Sequence, residues 1–160
     1  MTTTNTDGNP VIGSAPDPTA AHGAAAPAAS GIRTVSIHDV PANRRRGGDI
    51  RTILAPSTVG AISGFLGTLT LQPGEYVSEH WHPYSEEFLF CVRGGITLRL
   101  DGEERSLRAD EGVLVPIGVR HRLTNDGDEE AFFVFQLSPL APQPRLGHVD
   151  TEALPGQAPQ

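Results

Sequence analysis

The run from Gly74 to Asn125 constrains this chain more than any other stretch. Within it, three histidines and an adjacent pair of glutamates fall in an order that suits one divalent metal: His80, His82, Glu86, Glu87 and His121. His80 and His82 stand two apart. In a strand, residues i and i+2 share a face, so both imidazoles can aim at one centre. Glu87 opens the next strand-like run, and His121 lies on a later one. Neutral imidazole and carboxylate suit Zn, Fe, Ni or Mn rather than Ca or Mg. An isolated His-x-His pair is more often two surface or satisfied core histidines. Burying a carboxylate with three imidazoles, however, is expensive without a counter-charge, and a dication removes that expense.

The text around these residues is β-like. Ile50–Leu54 alternates, and Ala61–Leu71 places Phe65, Gly67, Leu69 and Leu71 on one face. Tyr76–His82 follows a Pro73-Gly74 turn, and Glu87–Val92 and Ile96–Leu100 come next. Asp101-Gly102 is a two-residue hairpin signal. Val113–Val115, Arg120–Thr124 and Ala131–Leu137 complete the set, and Ile32–Val40 reads as a first strand. No window carries a sustained 3.6-residue apolar period. Short strands separated by Gly, Pro and Asp turns predict a sandwich or barrel.

The 160 residues predict one domain. Residues 1–31, rich in Thr, Ala, Pro and Gly, read as a disordered tail with no site residue, His22 included. Residues 32–140 read as the barrel. Residues 141–160 read as a Pro-rich extension over the surface, in which LGHVDTE can pack locally. A net charge of −7 argues against nucleic acid and anionic membranes as partners. No apolar run or signal-like leader is present, and Cys91 is the single cysteine, which together fit the cytoplasm. All twelve basic residues are Arg, so no Lys can form a Schiff base.

Strand parity assigns faces. With His80 and His82 inward, Tyr76 and Ser78 follow them and Val77 faces out. With Glu87 inward, Leu89 and Cys91 follow, while Phe88, Phe90 and Val92 face away. With His121 inward, Leu123 and Asn125 follow. In FFVFQL, Gln136 shares a face with Phe132 and Val134, and a buried amide needs a partner, which predicts Gln136 beside the metal and Phe133 and Phe135 on the far side. Arg51 is placed at the cavity mouth, or else in a surface ion pair. Cys91 reads as a small buried apolar residue, Arg44-Arg45-Arg46 as a solvated loop or a dock for an acidic carrier, and His38 and His148 as non-ligands.

The spacing is more specific still. Gly74, five residues, His80-x-His82, four residues, Glu87, six residues, Gly94 forms one pattern; Pro116-x-Gly118-x-x-His121-x-x-x-Asn125 forms a second. Together they resemble the two motifs of the cupin superfamily. The gap to Gly94 selects Glu87 over Glu86. One departure is visible: Asp110 stands where the second motif usually opens with Gly, a turn variant that leaves the ligands untouched. The resemblance implies an all-β, single-domain cupin, a jelly-roll-like barrel or sandwich. Longer blocks, VPANRRRGGDIRTILAPSTVGAISGF, HWHPYSEEFLFCVRG, LVPIGVRHRLTN and LSPLAPQPRLGHVDTE, are similar to cupin-type aromatic polyketide cyclases of the tetracenomycin, spore-pigment and resistomycin pathways.

That resemblance implies a dimeric cytoplasmic enzyme closing aromatic rings on a poly-β-keto intermediate, free or bound to an acyl carrier protein. It implies one divalent metal ion, zinc first and Fe, Ni or Mn as alternatives. The ligands are His80, His82, Glu87 and His121, with Gln136 as an additional or outer ligand and Tyr76 and Arg51 toward the substrate. Two alternatives use the same ligands: an Fe(II)-dependent oxygenase acting on a polyphenol, and a non-catalytic metallocupin that binds a pathway intermediate.

Overall fold

The computed structural model describes residues 31–156, so the predicted tail at 1–31 and His22 lie almost wholly outside the described residues. Two five-stranded antiparallel sheets carry the chain from Arg33 onward. The strands are β1 (Asp49–Leu54), β2 (Phe65–Leu71), β3 (Tyr76–Trp81), β4 (Glu86–Arg93), β5 (Gly95–Leu100), β6 (Glu103–Arg108), β7 (Gly112–Val115), β8 (His121–Thr124), β9 (Ala131–Ser138) and β10 (Val149–Asp150). One sheet runs β1-β2-β9-β4-β7 and the other β10-β3-β8-β5-β6. The only α-helical turn among the described residues is Pro56–Val59.

The period-2 pattern explains the packing. In β4 Glu87, Leu89 and Cys91 are buried while Phe88, Phe90 and Val92 are exposed. Leu69, Leu71, Val77, Leu98, Leu123, Phe133 and Phe135 fill the space between the sheets. Apolar surface removed from water at roughly 25 cal/mol per Å² holds the two layers together. The turns behave as their residues require. Asp101 and Gly102 both have positive φ, 47° and 93°, as a primed hairpin turn demands. Asp110 also adopts a positive φ, 67°, so the turn variant needs no Gly there. Gly94 does: at φ 74° its missing Cβ would lie 2.6 Å from the Glu130 carbonyl oxygen. Asn125, fully buried, donates to the Leu71 and Glu129 carbonyls and accepts from the Gly127 N–H, closing the second motif.

Four expectations are corrected. Ile32–Val40 is not a strand; it holds a short 3-10 turn at Ile37–Asp39, because Arg51 donates to the Ile37 and Val40 carbonyls and fixes the turn. On β9 the inward face is Phe133, Phe135 and Leu137, and Gln136 is exposed, paired opposite Phe88. Burying three large apolar side chains outweighs burying one amide, which stays hydrated outside at no loss. In β3 the ladder to β8 shifts between Val77 and His80. That bulge reverses the parity, so Val77 and His80 both point inward and Tyr76 does not. Finally, the extension is not all surface drape: within LGHVDTE, where the sequence allows local packing, Val149–Asp150 pairs with Trp81 and His80 as an edge strand.

Candidate metal centre

Strands from both sheets bring the four residues together. β3 supplies His80, and His82 follows one residue beyond its end. β4 supplies Glu87, and β8 opens with His121. The Pro116–Gly118 turn ties the His82 segment to the one that leads into His121, since the Gly118 N–H donates to the His82 carbonyl at 3.0 Å. His80, His82, Glu87 and His121 are all buried, and one ligand atom from each lies within 4.8 Å of the others.

The tautomers follow from the hydrogen bonds. Each imidazole gives Nδ1–H to a backbone carbonyl: His80 to Ser78 at 2.7 Å, His82 to Gly147 at 2.8 Å and His121 to Val119 at 3.0 Å. A carbonyl only accepts, so Nδ1 carries the proton and Nε2 presents a lone pair. Two of these lone pairs meet one carboxylate oxygen: Glu87 Oε2 lies 3.2 Å from His82 Nε2 and 2.9 Å from His121 Nε2. His121 Nε2 is buried with no well-directed hydrogen bond, so its closeness to Glu87 is proximity rather than a donor–acceptor pair. Acceptors converging on one point call for a proton or a cation between them. Three imidazoles and one carboxylate, each imidazole oriented from behind, are a donor set that fits a divalent transition metal.

The electrostatics agree. Burial and the neighbouring His121 and His148 push His80 down to about 2, so its imidazole stays neutral at all ordinary pH. Burial raises the Glu87 carboxyl, but the His121 and His82 rings outweigh it and hold it well below the usual carboxylate range. Burial lowers His121, and the Glu87 carboxylate more than reverses this, so His121 lies above the ordinary histidine value.

His80, His82 and Glu87 line a cavity of about 680 Å³, while His121, 1% exposed, does not reach its lining. Ile50, Leu69, Val77, Leu123, Phe135 and Leu137 make apolar walls, and Asn43, Arg46 and His148 add polar groups. Three predicted substrate contacts are placed elsewhere. Gln136 lines an outer groove instead. Tyr76 lies under the Arg122 guanidinium, 4.1 Å from ring centroid to Cζ. Arg51 clasps Asp49 with two hydrogen bonds, because Ile50 and Thr52 take the cavity face of β1. Cys91 is fully buried in the core and absent from the cavity lining, as its reading as an apolar residue requires.

Two residues lining the cavity were missed. His148 stacks on His80, centroids 4.1 Å apart at 15°, and Arg46 grips Asp150 beside it. The similarity of LGHVDTE to the relatives' ending was the available signal; spacing from the motifs could not reveal it, because β10 joins β3 across some seventy residues.

A cupin domain model matches residues 67–136, the stretch that contains all four converging residues. Polyketide synthase CurC of Streptomyces cyaneus is 60% identical over 121 residues, 76% of this chain and 79% of CurC. Tetracenomycin polyketide synthase protein TcmJ of Streptomyces glaucescens is 49% identical over 124 residues, 78% of this chain and 83% of TcmJ. The structure of the polyketide cyclase RemF from Streptomyces resistomycificus superposes with a TM-score of 0.62 at 17% identity, covering 78% of this chain and 88% of RemF, a likeness of fold. With the cupin domain at its centre and 60% and 49% identity to CurC and TcmJ over about three quarters of its length, the chain belongs to the cupin family, beside these Streptomyces polyketide synthase proteins.

Proposed function

We propose that this protein is a metal-dependent polyketide cyclase that closes a ring on a poly-β-keto intermediate. The carrying observation is the convergence of three pre-oriented Nε2 atoms and Glu87, with His80, His82 and Glu87 lining an apolar cavity. The chain's similarity to polyketide synthase proteins supplies the substrate class. His80, His82, Glu87 and His121 are the proposed ligands, with zinc as the first candidate ion. When bound, such an ion supplies Lewis-acid binding of the two oxygens of a 1,3-diketone and favours its enolate.

The reaction is an intramolecular aldol closure. A methylene between two carbonyls loses a proton, and its carbon bonds to a distant carbonyl carbon whose C=O π bond opens. The new alkoxide takes up a proton, and the hydroxyl then leaves as water as the former methylene carbon gives up its second proton. The apolar walls do the positioning. Leu69, Leu123, Phe135 and Leu137 favour a coiled over an extended chain and exclude water, which brings the reacting carbons together. A cavity of about 680 Å³ falls in the range of small-molecule sites, roughly 300–1,000 Å³.

The proposed setting is a homodimer in the cytoplasm, fed with a free or carrier-bound chain. The outer face supports dimerisation: Phe88, Phe90 and Leu114 are each 46% exposed around one groove. Arg44 and Arg45, beside the cavity-lining Asn43 and Arg46, are about three-fifths exposed and suit an acidic carrier. Among the described residues no helix is long and apolar enough to cross a membrane.

The test is product profiling with a minimal polyketide synthase, with metal-loaded protein, stripped protein and His121→Ala. Ring closure by the loaded parent alone, proceeding without oxygen, supports the proposal. Closure that survives both stripping and His121→Ala overturns it. Oxygen consumption that requires Fe(II) points to the oxygenase alternative, and stoichiometric binding without turnover to the metallocupin one.

A further inference from the structure

We infer that the segment Gly147–Asp150, fastened by Arg46, positions two of the three imidazoles and thereby sets the affinity of the metal centre. This rests on the reading of His80, His82, Glu87 and His121 as ligands.

The three imidazoles are not held alike. His80 and His121 find their Nδ1 acceptors two residues back in their own segments, at Ser78 and Val119. Those bonds form wherever the strands form. His82 takes its acceptor from Gly147, sixty-five residues away. Its ring orientation and tautomer are therefore set by where residues 147–150 lie. The same segment reaches the second imidazole through His148, whose ring lies face to face with His80 at 4.1 Å.

What holds the segment is a charged clasp rather than a long ladder. β10 contributes only Val149 and Asp150, paired to Trp81 and His80. Asp150 accepts from Arg46 Nε at 2.5 Å and Nη2 at 3.2 Å, and from His148 Nε2 at 3.0 Å. Arg46 in turn ties back to the ligand strand, since its carbonyl accepts from the Ser78 N–H at 2.9 Å, within the β3 bulge. Gly47 allows that approach: a Cβ there would lie 1.8 Å from the Tyr76 carbonyl oxygen. A two-point Arg–carboxylate fork gives direction as well as attraction. The Arg46 and Asp150 side chains are 18% and 24% exposed, so solvent screens this pair less than an open surface pair. The route runs from Arg46 to Asp150, along the backbone to Gly147, and from its carbonyl to His82. Arg46 and Asp150 are thus positioning residues that touch no ligand atom.

The test uses the full-length chain. Co(II) and Zn(II) affinities are measured by competition with a chelator for the parent, Asp150→Asn, Arg46→Gln and Arg46→Lys, alongside the Co(II) absorption spectrum. Glu103→Gln, which removes an exposed ion pair with Arg105, is the control. Loss of an outer partner of a metal-bound histidine weakens binding by about 10–100-fold. Asp150→Asn and Arg46→Gln are expected near the lower end, on the order of 10-fold, with a shifted spectrum. Arg46→Lys keeps the charge, loses the fork and falls between. The control stays within about twofold. Thermal unfolding of each metal-free variant separates lost positioning from lost fold, and Arg46→Lys serves if Asp150→Asn does not fold. Folded variants that bind as the parent does, with an unchanged spectrum, overturn the inference and leave the metal reading standing. A parent that takes up no ion overturns both.

Discussion

His121 Nε2 stands 2.9 Å from Glu87 Oε2 inside the barrel, with the His121 ring 1% exposed and Glu87 8%. Without a metal, this pair can be satisfied only by a shared proton. With a metal bound as proposed, both would serve as ligands. Removing His121 alone leaves a buried carboxylate with one fewer compensating ring. His121→Ala is therefore expected to abolish stoichiometric metal uptake, read by elemental analysis after dialysis. It is also expected to destabilise the metal-free protein by about 3–5 kcal/mol, read by urea unfolding. A variant that still holds one ion per chain would sink the ligand assignment.

Stripping the metal lowers stability by mass action, because the unfolded chain presents no assembled site. At a free ion concentration 100 times Kd the difference is about 2.7 kcal/mol. For a domain of this size that corresponds to a melting shift of roughly 5–10 °C. Calorimetry with and without chelator checks it, and the shift should disappear in His80→Ala.

The metal-free protein should lose stability on acidification from about pH 6.5, the ordinary histidine value. His80 sits at about 2 and His148 at about 3, so below 6.5 the unfolded chain binds protons that the folded chain refuses. Stability then falls as pH falls, with a slope approaching about 1.4 kcal/mol per pH unit for the deeply buried His80. Glu87 adds to the fall below its ordinary 4.5, because its folded value is depressed. His121 has the opposite sign: its raised value stabilises below 6.5 and that contribution is lost as pH rises through its folded value. Maximum stability near pH 6.5 is the expected outcome in denaturant titrations. A His80→Gln protein should show a shallower acid limb.

The outer face of β4 should govern self-association. Phe88→Glu and Phe90→Glu place charge in the groove they border with Leu114, and both side chains are 46% exposed. Sedimentation is expected to show a dimer for the parent and a monomer for the double variant, with metal affinity unchanged. A monomeric parent would refute the dimer.

Gly94→Ala tests the turn that ends the first motif. The added methyl meets the Glu130 carbonyl oxygen at 2.6 Å and the backbone keeps φ 74°, so a loss of about 1–3 kcal/mol is expected from strain alone. Equilibrium unfolding measures it. Gly102→Ala, with nothing within 4 Å of its Cβ, should lose less.

Much of this molecule was legible beforehand. Strands β1 to β9, the Asp101-Gly102 hairpin, the Asp110 turn and the inward faces of β4 and β8 followed from local chemistry, whereas the strand expected at Ile32–Val40 did not form and β10 was not foreseen. Parity failed at two places for different reasons. At Tyr76 an inserted residue in the β3 ladder reversed the faces, and nothing in YVSEHW announces a bulge. At Gln136 parity was intact, but the face was chosen for one polar group against three apolar ones.

The amino-acid sequence by itself determined the donor types, their spacing and the strands that carry them, because alternation and turn chemistry act over a few residues. Only the tertiary structure decided that His82 leans on Gly147, that His148 stacks on His80 and that Arg46 clasps Asp150. Those contacts join segments far apart in the chain, and a backbone carbonyl is the same acceptor in every residue, so no local pattern of side chains can name it in advance.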